Sequence, residues 1–334
     1  MPTDRLILQP LCLEATLHAV LDVMAGGDTD TAAAHAGLEP ADLDAAVAVY
    51  QQAGQQALAQ QAGPPAWRQL YIQFTDWAKA EQTAADHIAP VLDLAQHDGL
   101  ITGWWFIRKH PCWRMRLLPA FGAQLPLALT DMFDELTAAG QVHRWWPGIY
   151  EPETAAFGGG NSMTIAHTLF HADSHAILTT AHGELGRREL SLLLCATLMR
   201  AAGLEWYEQG DVWHHITRER PLPSDVPAAK IHAMADSLRQ LLIADTSPAG
   251  PMLQSDRTLK PAADWVNAFR QAGRDLGTAA RDGALDRGLR EVISYHVIFH
   301  WNRIGLPART QSVLAHAAHS AILHSADPTE RPMP

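Results

Sequence analysis

Residues 104–118, WWFIRKHPCWRMRLL, constrain the fold more than any other stretch, because two runs rich in aromatic and apolar residues flank a proline. Such runs favour strands, and the proline between them favours a turn. The stretch predicts a β-hairpin in which an even-length loop centred on HPCW pairs residue 109 with 114 and 107 with 116. Alternation then sorts the side chains onto two faces. One face carries Trp105, Ile107, Lys109, Arg114 and Arg116, and the other carries Phe106, Arg108, Met115 and Leu117.

Helical patterns surround this hairpin. Period-two alternation over 67–74 predicts another strand, and VHRWWPGIYEP is extended. Helices are predicted over 76–96 with a break near Pro90, and over 124–139, 162–182, 187–202, 230–244, 262–278, 286–301 and 309–324. With the strands confined to 67–152, the fold class is α+β, with an antiparallel-rich sheet among many helices.

The first 62 residues form a separate segment. Three helices are predicted over 11–26, 29–37 and 40–62, and the stretch QAGPPAW after them is expected to be a linker. We expect a helical accessory domain over 1–62, a main domain over 63–325 and a disordered tail over 326–334.

Charge and composition exclude several classes of function. The chain of 334 residues has a net charge of −11, and its first 62 residues contain eight acids and one base. A nucleic-acid partner is therefore disfavoured. Three separated cysteines, no signal peptide and no long apolar run indicate a cytoplasmic protein that spans no membrane.

Histidines and glycines give weaker signals. His167, His171 and His175 lie on one helix face, as do His296 and His300, but no accompanying ligands complete a familiar metal triad, so no metal is expected. FGGGNSM lacks the lysine and the spacing of a phosphate loop. Its glycines are expected to allow a tight turn or the close approach of a bound chain.

Two clusters can carry chemistry. The Lys109, Arg114 and Arg116 face, with Trp105 beside it, is suited to holding carboxylates or carbonyl oxygens. Near the end of the chain, SYHVIFHWNRIGL supplies proton-transfer groups, an amide and a guanidinium within about two helical turns.

Four blocks in order, WWFIRKHPCWRMRL, YEPETAAFGGGNSM, HTLFHADSHAIL and FHWNRIGL, resemble the thiopeptide-type bacteriocin biosynthesis domain. This family includes the elimination domain at the C-terminus of class I lanthipeptide dehydratases. The resemblance covers about residues 67–315, and it implies the fold of that elimination domain. It matches Arg114, Arg116, Tyr150, Glu153 and Ser174 to family positions, and likewise His300, Asn302 and Arg303.

The resemblance implies one of two reactions on ribosomally made peptides. One branch eliminates glutamate from glutamylated Ser or Thr, and the other joins two dehydroalanines in a formal [4+2] aza-cycloaddition with loss of water and leader peptide. Here Ala156 replaces an arginine of the family pattern and Ile298 replaces its first histidine. These departures favour the cycloaddition branch, with the lyase and a non-catalytic peptide-binding scaffold as alternatives. His296 does not easily replace the missing histidine, because two residues along a helix rotate a side chain by about 200°.

The expected site has catalytic and substrate-binding groups. The catalytic set is Arg114, Arg116, Tyr295, His296, His300 and Arg303, and the substrate-binding set is Trp105, Lys109, Trp145, Trp146, Tyr150, Glu153, Ser174, Trp301 and Asn302. No cofactor is demanded, because the reaction is redox-neutral. The expected partners are the precursor peptide, with its leader and dehydrated core, and other enzymes of the same pathway.

Overall fold

The computed structural model describes residues 10–61, 67–120, 125–180, 186–254 and 259–323. The chain divides between residues 65 and 66 into two compact units. The division falls three residues after the boundary expected at 62. The tail expected over 326–334 lies outside the described residues.

The N-terminal unit contains three helices, α1 (Pro10–Met24), α2 (Thr29–Ala36) and α3 (Pro40–Gln61). Their bounds agree with the predicted helices. The Asp28 side chain accepts from the Thr31 N–H at the start of α2, and Gly37 ends that helix in the left-handed conformation with φ 67°. Both are the capping signals that the sequence supplies. Small apolar residues such as Val20, Ala33 and Leu43 form the core of this unit.

A four-stranded antiparallel sheet forms the centre of the second unit. Its strands are β1 (Arg68–Phe74), β2 (Ile101–Lys109), β3 (Cys112–Pro119) and β4 (Val142–Gly148). The strand order is β2-β3-β1-β4, and all neighbours run antiparallel. The predicted α+β class with an antiparallel sheet is confirmed.

The register of the β2–β3 hairpin differs from the expected one by two residues. Strand β3 begins at Cys112, so Lys109 pairs with Cys112 and Ile107 pairs with Arg114. The expected pairs, 109 with 114 and 107 with 116, are wrong because only His110 and Pro111 lie between the strands. An even shift leaves each side chain on its face, so the predicted division of faces is confirmed.

Helices lie between and after the strands. Between β1 and β2, α4 (Ala80–Thr83) and α5 (Ala89–His97) flank a π-helical turn, and Pro90 occupies the first turn of α5 near the predicted break. Helix α6 (Leu127–Ala138) joins β3 to β4. The remaining helices are α7 (Gly160–Thr179), α8 (Arg187–Ala201), α9 (Trp206–Glu219), α10 (Ala228–Ile243), α11 (Ala263–Arg281), α12 (Leu289–Ile304) and α13 (Ala308–Leu323).

The sequence interpretation assigned no helix to the region of α9. A capping box formed by Glu205 and Glu208 starts this helix, and Val212, Trp213 and Ile216 are buried along it. Gly210 lowers its local helix propensity. This glycine is explained by packing, because a Cβ there would come 2.7 Å from Ile322.

The two faces of the sheet have different surroundings. One face carries Leu70, Ile72, Met115 and Leu117, all fully buried in the main hydrophobic core. The other face carries Arg116 and Trp105 near α7 and α12, and partly exposed side chains over β1 and β4. The candidate site lies on this second face.

Candidate functional site

The glycine loop brings α7 to the sheet. Gly158 and Gly159 have φ of 81° and 104°, which glycine adopts without strain. A Cβ on Gly159 would lie 2.4 Å from Asp286 Oδ2, and the Asp286 N–H donates to the Gly158 carbonyl at 3.0 Å. The loop is therefore a tight turn that admits the close approach of residue 286 of the same chain.

Helix α7 covers the outer edge of β2 and satisfies its backbone groups. The Phe106 N–H donates to Ser174 Oγ at 3.1 Å, and His171 Nδ1 lies 2.8 Å from the Trp104 carbonyl oxygen. Ser174 is fully buried at this contact. Its hydroxyl thus fixes α7 to the strand.

Rings from β2, α7, α12, the loop before α7 and the residue before β1 pack together on the second face of the sheet. We call this set the aromatic cluster, and its members are Trp67, Trp105, Tyr150, Phe157, Phe170, Tyr295 and Phe299. Phe170 is central, with ring centroids 4.8 Å from Trp105 and 5.4 Å from Phe299. The cluster forms an apolar wall suited to flat, weakly polar groups.

Arg116 places a cation against this wall. Its guanidinium carbon lies 4.2 Å from the centroid of Trp105, and the residue is 3% exposed. Burial lowers the pKa of Arg116 to about 10, even though Glu153 and Tyr150 favour its charged form. It is still charged at neutral pH. One terminal nitrogen donates to the Arg114 carbonyl, while Nε has no partner among the described residues.

Tyr150 and His167 form a neutral pair beside Arg116. The Tyr150 hydroxyl lies 2.8 Å from His167 Nε2. Burial and the charge of Arg116 lower the pKa of His167 to about 4, and burial raises the pKa of Tyr150. At neutral pH the tyrosine can donate to an unprotonated imidazole nitrogen.

Arg303 approaches the cluster from α12. It is fully buried, and its guanidinium carbon lies 4.3 Å from the Phe170 centroid. Its Nε donates to Asp173 Oδ2 at 2.7 Å, while both terminal nitrogens are without a partner in the described chain. Burying a guanidinium with free N–H groups is costly, so this arrangement is typical of a site that receives an oxygen ligand.

Asp173 organises the groups behind Arg303. It accepts from Trp265 Nε1 at 2.8 Å and lies 2.9 Å from His300 Nδ1. Burial would raise the pKa of Asp173, but His300 and Arg303 outweigh it and lower the pKa. The other nitrogen of His300 lies 3.0 Å from Ser191 Oγ. His300 is therefore held on both sides.

His296 has neither ring nitrogen bonded within the described residues and is 1% exposed. Its ring lies 4.9 Å from Phe157 and 5.9 Å from Phe170. Burial and the charge of Arg303 lower the pKa of His296 to about 3, so the imidazole is neutral at pH 7. His296 faces the cluster, whereas Ile298 is buried in the main core. The rotation of about 200° between positions 296 and 298 predicts that the two side chains point in different directions. It does not tell which of the two points to the cluster.

The structure brings six of the expected site residues together at the aromatic cluster. They are Trp105, Arg116, Tyr150, Tyr295, His296 and Arg303. Lys109, Arg114 and Trp146 lie on the same face of the sheet, and exposed Glu153 interacts electrostatically with Arg116. Ala156, at the position of the missing arginine, packs against the cluster.

Other expected site residues lie elsewhere. Trp145 is on the opposite face, where it packs on Phe133 and donates to Asp134 at 2.8 Å. Trp301 is fully buried against Trp213. Asn302 lines a cleft of about 830 Å³ together with Trp77 and Arg108. None of the three joins the cluster, because adjacent positions on a strand or helix point in different directions.

Three important residues were absent from the expected site. His167, Phe170 and Asp173 are all on α7, and the histidine spacing and the Asp-Ser pair were the available signals. The three histidines on α7 have separate partners, since His167 contacts Tyr150, His171 contacts β2 and His175 lies 3.5 Å from Asp93. Within the described ranges no group of three possible ligands is arranged for a metal.

No helix in the described part of the chain has the length and apolarity needed to cross a bilayer. No match was found among curated proteins. Several solved structures share the fold. Three of them are a tRNA dependent lantibiotic dehydratase, MibB from Microbispora sp. 107891 (TM-score 0.59, 20% identity), TsrL (0.55, 15%), and TbtD, a pyridine synthase from thiomuracin biosynthesis (0.51, 13%).

The coverage of these matches differs. The match to MibB includes 81% of this chain but only 29% of the MibB chain, so the likeness concerns one part of that protein. The match to TsrL includes 76% of this chain and 94% of TsrL, and the match to TbtD includes 78% and 98%. The model of the lantibiotic biosynthesis dehydratase C-terminal family matches residues 67–322. The chain therefore belongs to this family of lantibiotic dehydratase C-terminal domains.

Proposed function

We propose that this chain is a maturation enzyme for ribosomally made peptides, and that it forms a six-membered nitrogen ring from two dehydroalanines. One dehydroalanine reacts as the iminol tautomer of its amide, an azadiene, and the other supplies the alkene. The cycloaddition forms two carbon–carbon bonds, one between the two methylene carbons and one between the iminol carbon and the α-carbon of the alkene. The ring nitrogen is the amide nitrogen of the azadiene, which is already bonded to both of its ring neighbours. Loss of water and then of the leader peptide as an amide gives the pyridine, so no oxidant is needed.

The residue at position 156 favours ring formation over glutamate elimination. Ala156 packs against the aromatic cluster, where the family pattern has an arginine. The methyl group extends an apolar wall instead of adding a guanidinium for a glutamyl carboxylate. Flat azoles and dehydroalanines match such a wall better than a carboxylate does. The fold shared with the pyridine synthase TbtD is in keeping with this choice.

The unpartnered polar atoms around the cluster suit the tautomerisation. Arg116 and Arg303 have free N–H donors that can polarise carbonyl oxygens in a dry site. His296 is neutral and unpartnered, so one ring nitrogen can donate while the other accepts a proton. His300 is held by Asp173 and Ser191, so its role in our proposal is to position neighbouring groups.

Holding the two reacting groups near each other is the other requirement. Converting distant alkenes into a near-attack pair is chiefly an entropic task. We assign it to Trp105, Tyr150 and Tyr295, which line the cluster next to Arg116 and His296.

A second candidate is glutamate elimination, the reaction of the other branch. One observation favours it: Arg116 and Arg303 are buried guanidiniums with free N–H groups. These two can hold a carboxylate even though Ala156 replaces the arginine of the family pattern. The fold shared with the dehydratase MibB agrees with this alternative as well.

Mass spectrometry of the purified chain with two precursors separates the candidates. A fully dehydrated, azole-containing precursor should lose water and release its leader with formation of the aromatic macrocycle. Turnover of only a glutamylated precursor would establish the lyase instead. Binding of both without a mass change would establish a scaffold and contradict both enzymes.

Variants connect the activity to the site. Arg116→Gln and His296→Leu should each lower turnover by about 100-fold, since each removes one preorganised group. Arg309→Gln is the matched control, because Arg309 pairs with Asp225 at the surface. If folded Arg116→Gln and His296→Leu keep full turnover, the proposed site is wrong.

A further inference from the structure

The sheet carries a second feature beside Arg116. Five side chains from all four strands share its outward face, and we call them the cationic strip: Tyr71, Lys109, Arg114, Arg144 and Trp146. Lys109 and Arg144 are exposed, and the other three are partly exposed. The strip is therefore accessible from solvent.

Rings and guanidiniums alternate along the strip. Tyr71 and Trp146 are stacked with centroids 5.3 Å apart, Arg114 lies 5.6 Å from Tyr71, and Arg144 lies 4.7 Å from Trp146. Gly148 makes the Tyr71 position possible, because a Cβ there would lie 2.4 Å from its ring. The rings hold the two guanidiniums in place at the surface.

The charge of the strip is unbalanced locally. Among the described residues, Lys109, Arg114 and Arg144 form no ion pair with a carboxylate, although the chain has 36 acidic and 25 basic residues. Glu153 interacts electrostatically with the neighbouring Arg116. Arg144 donates to the neutral Gln73 side chain at 2.9 Å, so the three cations of the strip have no described carboxylate partner. Three such cations together in an acidic protein indicate an anionic partner.

The strip is continuous with the candidate site. Arg114 is two residues from Arg116 on β3, and its carbonyl accepts from the Arg116 guanidinium. Lys109 pairs with Cys112, which lies four residues before Arg116 on β3. The two positions are therefore about 13 Å apart along the strand. A chain lying on the strip would thus lead directly to the aromatic cluster.

We propose that the cationic strip binds an acidic, extended segment of the precursor peptide outside the reacting core. This rests on the proposed function in taking a peptide as the substrate. Strand β4 pairs only with β1 in the described part, so its outer edge offers free backbone groups to a peptide. A nucleic acid would gain nothing from that edge, because its backbone has no peptide groups to pair with a strand.

Fluorescence anisotropy with labelled twelve-residue peptides tests the proposal on the full chain. The probe (Glu-Ala)6 should bind, and (Gln-Ala)6 should bind at least about fivefold more weakly. Binding of the acidic probe should weaken as salt rises from 50 to about 300 mM, because the strip is exposed. Equal binding of the two probes, or tighter binding of a single-stranded oligonucleotide, would overturn the proposal.

Single variants locate the binding. Arg114→Gln and Arg144→Gln should each weaken binding of (Glu-Ala)6 by about fivefold, and Trp146→Ala should do so through loss of the stack. Lys230→Gln on α10 removes the same charge from an exposed helix and should change nothing. Equal effects of Lys230→Gln and Arg114→Gln would mean that only net charge matters, and the strip would not be a site.

Failure of this inference can be told from failure of the proposed function. The chain could bind (Glu-Ala)6 through Arg114 and Arg144 and yet turn over no precursor. That result would support the cationic strip as a binding site and contradict the proposed enzymatic function. Turnover of a precursor with KM unchanged in the Arg144→Gln variant keeps the enzyme and rejects the strip.

Discussion

Arg303 donates from Nε to Asp173 at 2.7 Å while its two terminal nitrogens have no partner among the described residues. The carboxylate therefore fixes the guanidinium without occupying the groups that point to the aromatic cluster. Trp265 and His300 hold the carboxylate in turn. Such a supported side chain is preorganised to receive an oxygen ligand, because its position does not depend on that ligand.

We expect Asp173→Asn to lower the free energy of unfolding by about 3–5 kcal/mol, because it leaves the Arg303 charge buried without its counter-ion. Urea denaturation at pH 7 measures this. Asp225→Asn breaks the exposed pair with Arg309 and should leave the unfolding midpoint unchanged. A loss below about 1 kcal/mol in Asp173→Asn would mean that the pair is not a buried charge pair.

His296 should make stability depend on pH. Its ordinary pKa of 6.5 is lowered to about 3 in the folded chain. Below pH 6.5 the unfolded chain takes up a proton that the folded chain does not, so folded stability falls as the pH drops toward 3. Urea denaturation at pH 7.5, 6 and 4.5 measures the free energy of unfolding of wild type and of His296→Leu. The value for wild type minus the value for His296→Leu should decrease as the pH falls. A constant difference would contradict the neutral, buried imidazole.

Glu81 should stabilise the fold down to strongly acidic pH. It accepts from Arg187 at 2.5 Å and also pairs with Arg108. Burial alone would raise the pKa of Glu81, but the two arginines outweigh it and lower the pKa from 4.5 to about 2.

The lowered value sets the pH window. The stabilisation by Glu81 is complete above pH 4.5 and is lost as the pH falls through about 2. The difference in unfolding free energy between wild type and Glu81→Gln should thus be constant from pH 8 to 5 and shrink between pH 4.5 and 2. Acid-dependent urea titrations measure this difference, and an unchanged difference at pH 2.5 would contradict the salt-bridged carboxylate.

Gly277 allows α11 to pack closely on α8. A Cβ there would lie 2.5 Å from the Ala202 carbonyl oxygen. We expect Gly277→Ala to destabilise the main unit by about 1–3 kcal/mol, because backbone cannot yield as a flexible side chain can.

The same substitution in an open environment is the control. Gly54 in α3 has nothing within 4 Å of the position of a Cβ, so Gly54→Ala should not destabilise and should favour its helix by up to about 1 kcal/mol. Thermal unfolding followed by circular dichroism measures both variants. A stabilised Gly277→Ala would show that the helices can separate freely.

Local patterns in the sequence were enough for most of the secondary structure. Helix starts and stops such as Asp28 and Gly37, and the break near Pro90, arise from interactions within a few residues. Helix α9 is an instructive exception, since Gly210 weakens the local signal and its reason lies in α13. The hairpin register also depended on one detail, the start of β3 at Cys112, that alternation alone does not fix.

The sequence by itself determined the α+β class, the two faces of the hairpin and the family, because period, turn residues and motif order are all encoded locally or in linear order. Only the tertiary structure decided which polar groups face the aromatic cluster. Arg303 and His296 lie there with free nitrogens, while His300 is held by Asp173 on α7, 127 residues earlier in the chain. The physical reason is that the partners of a buried polar group come from distant elements, and a partner decides whether that group is structural or free to act.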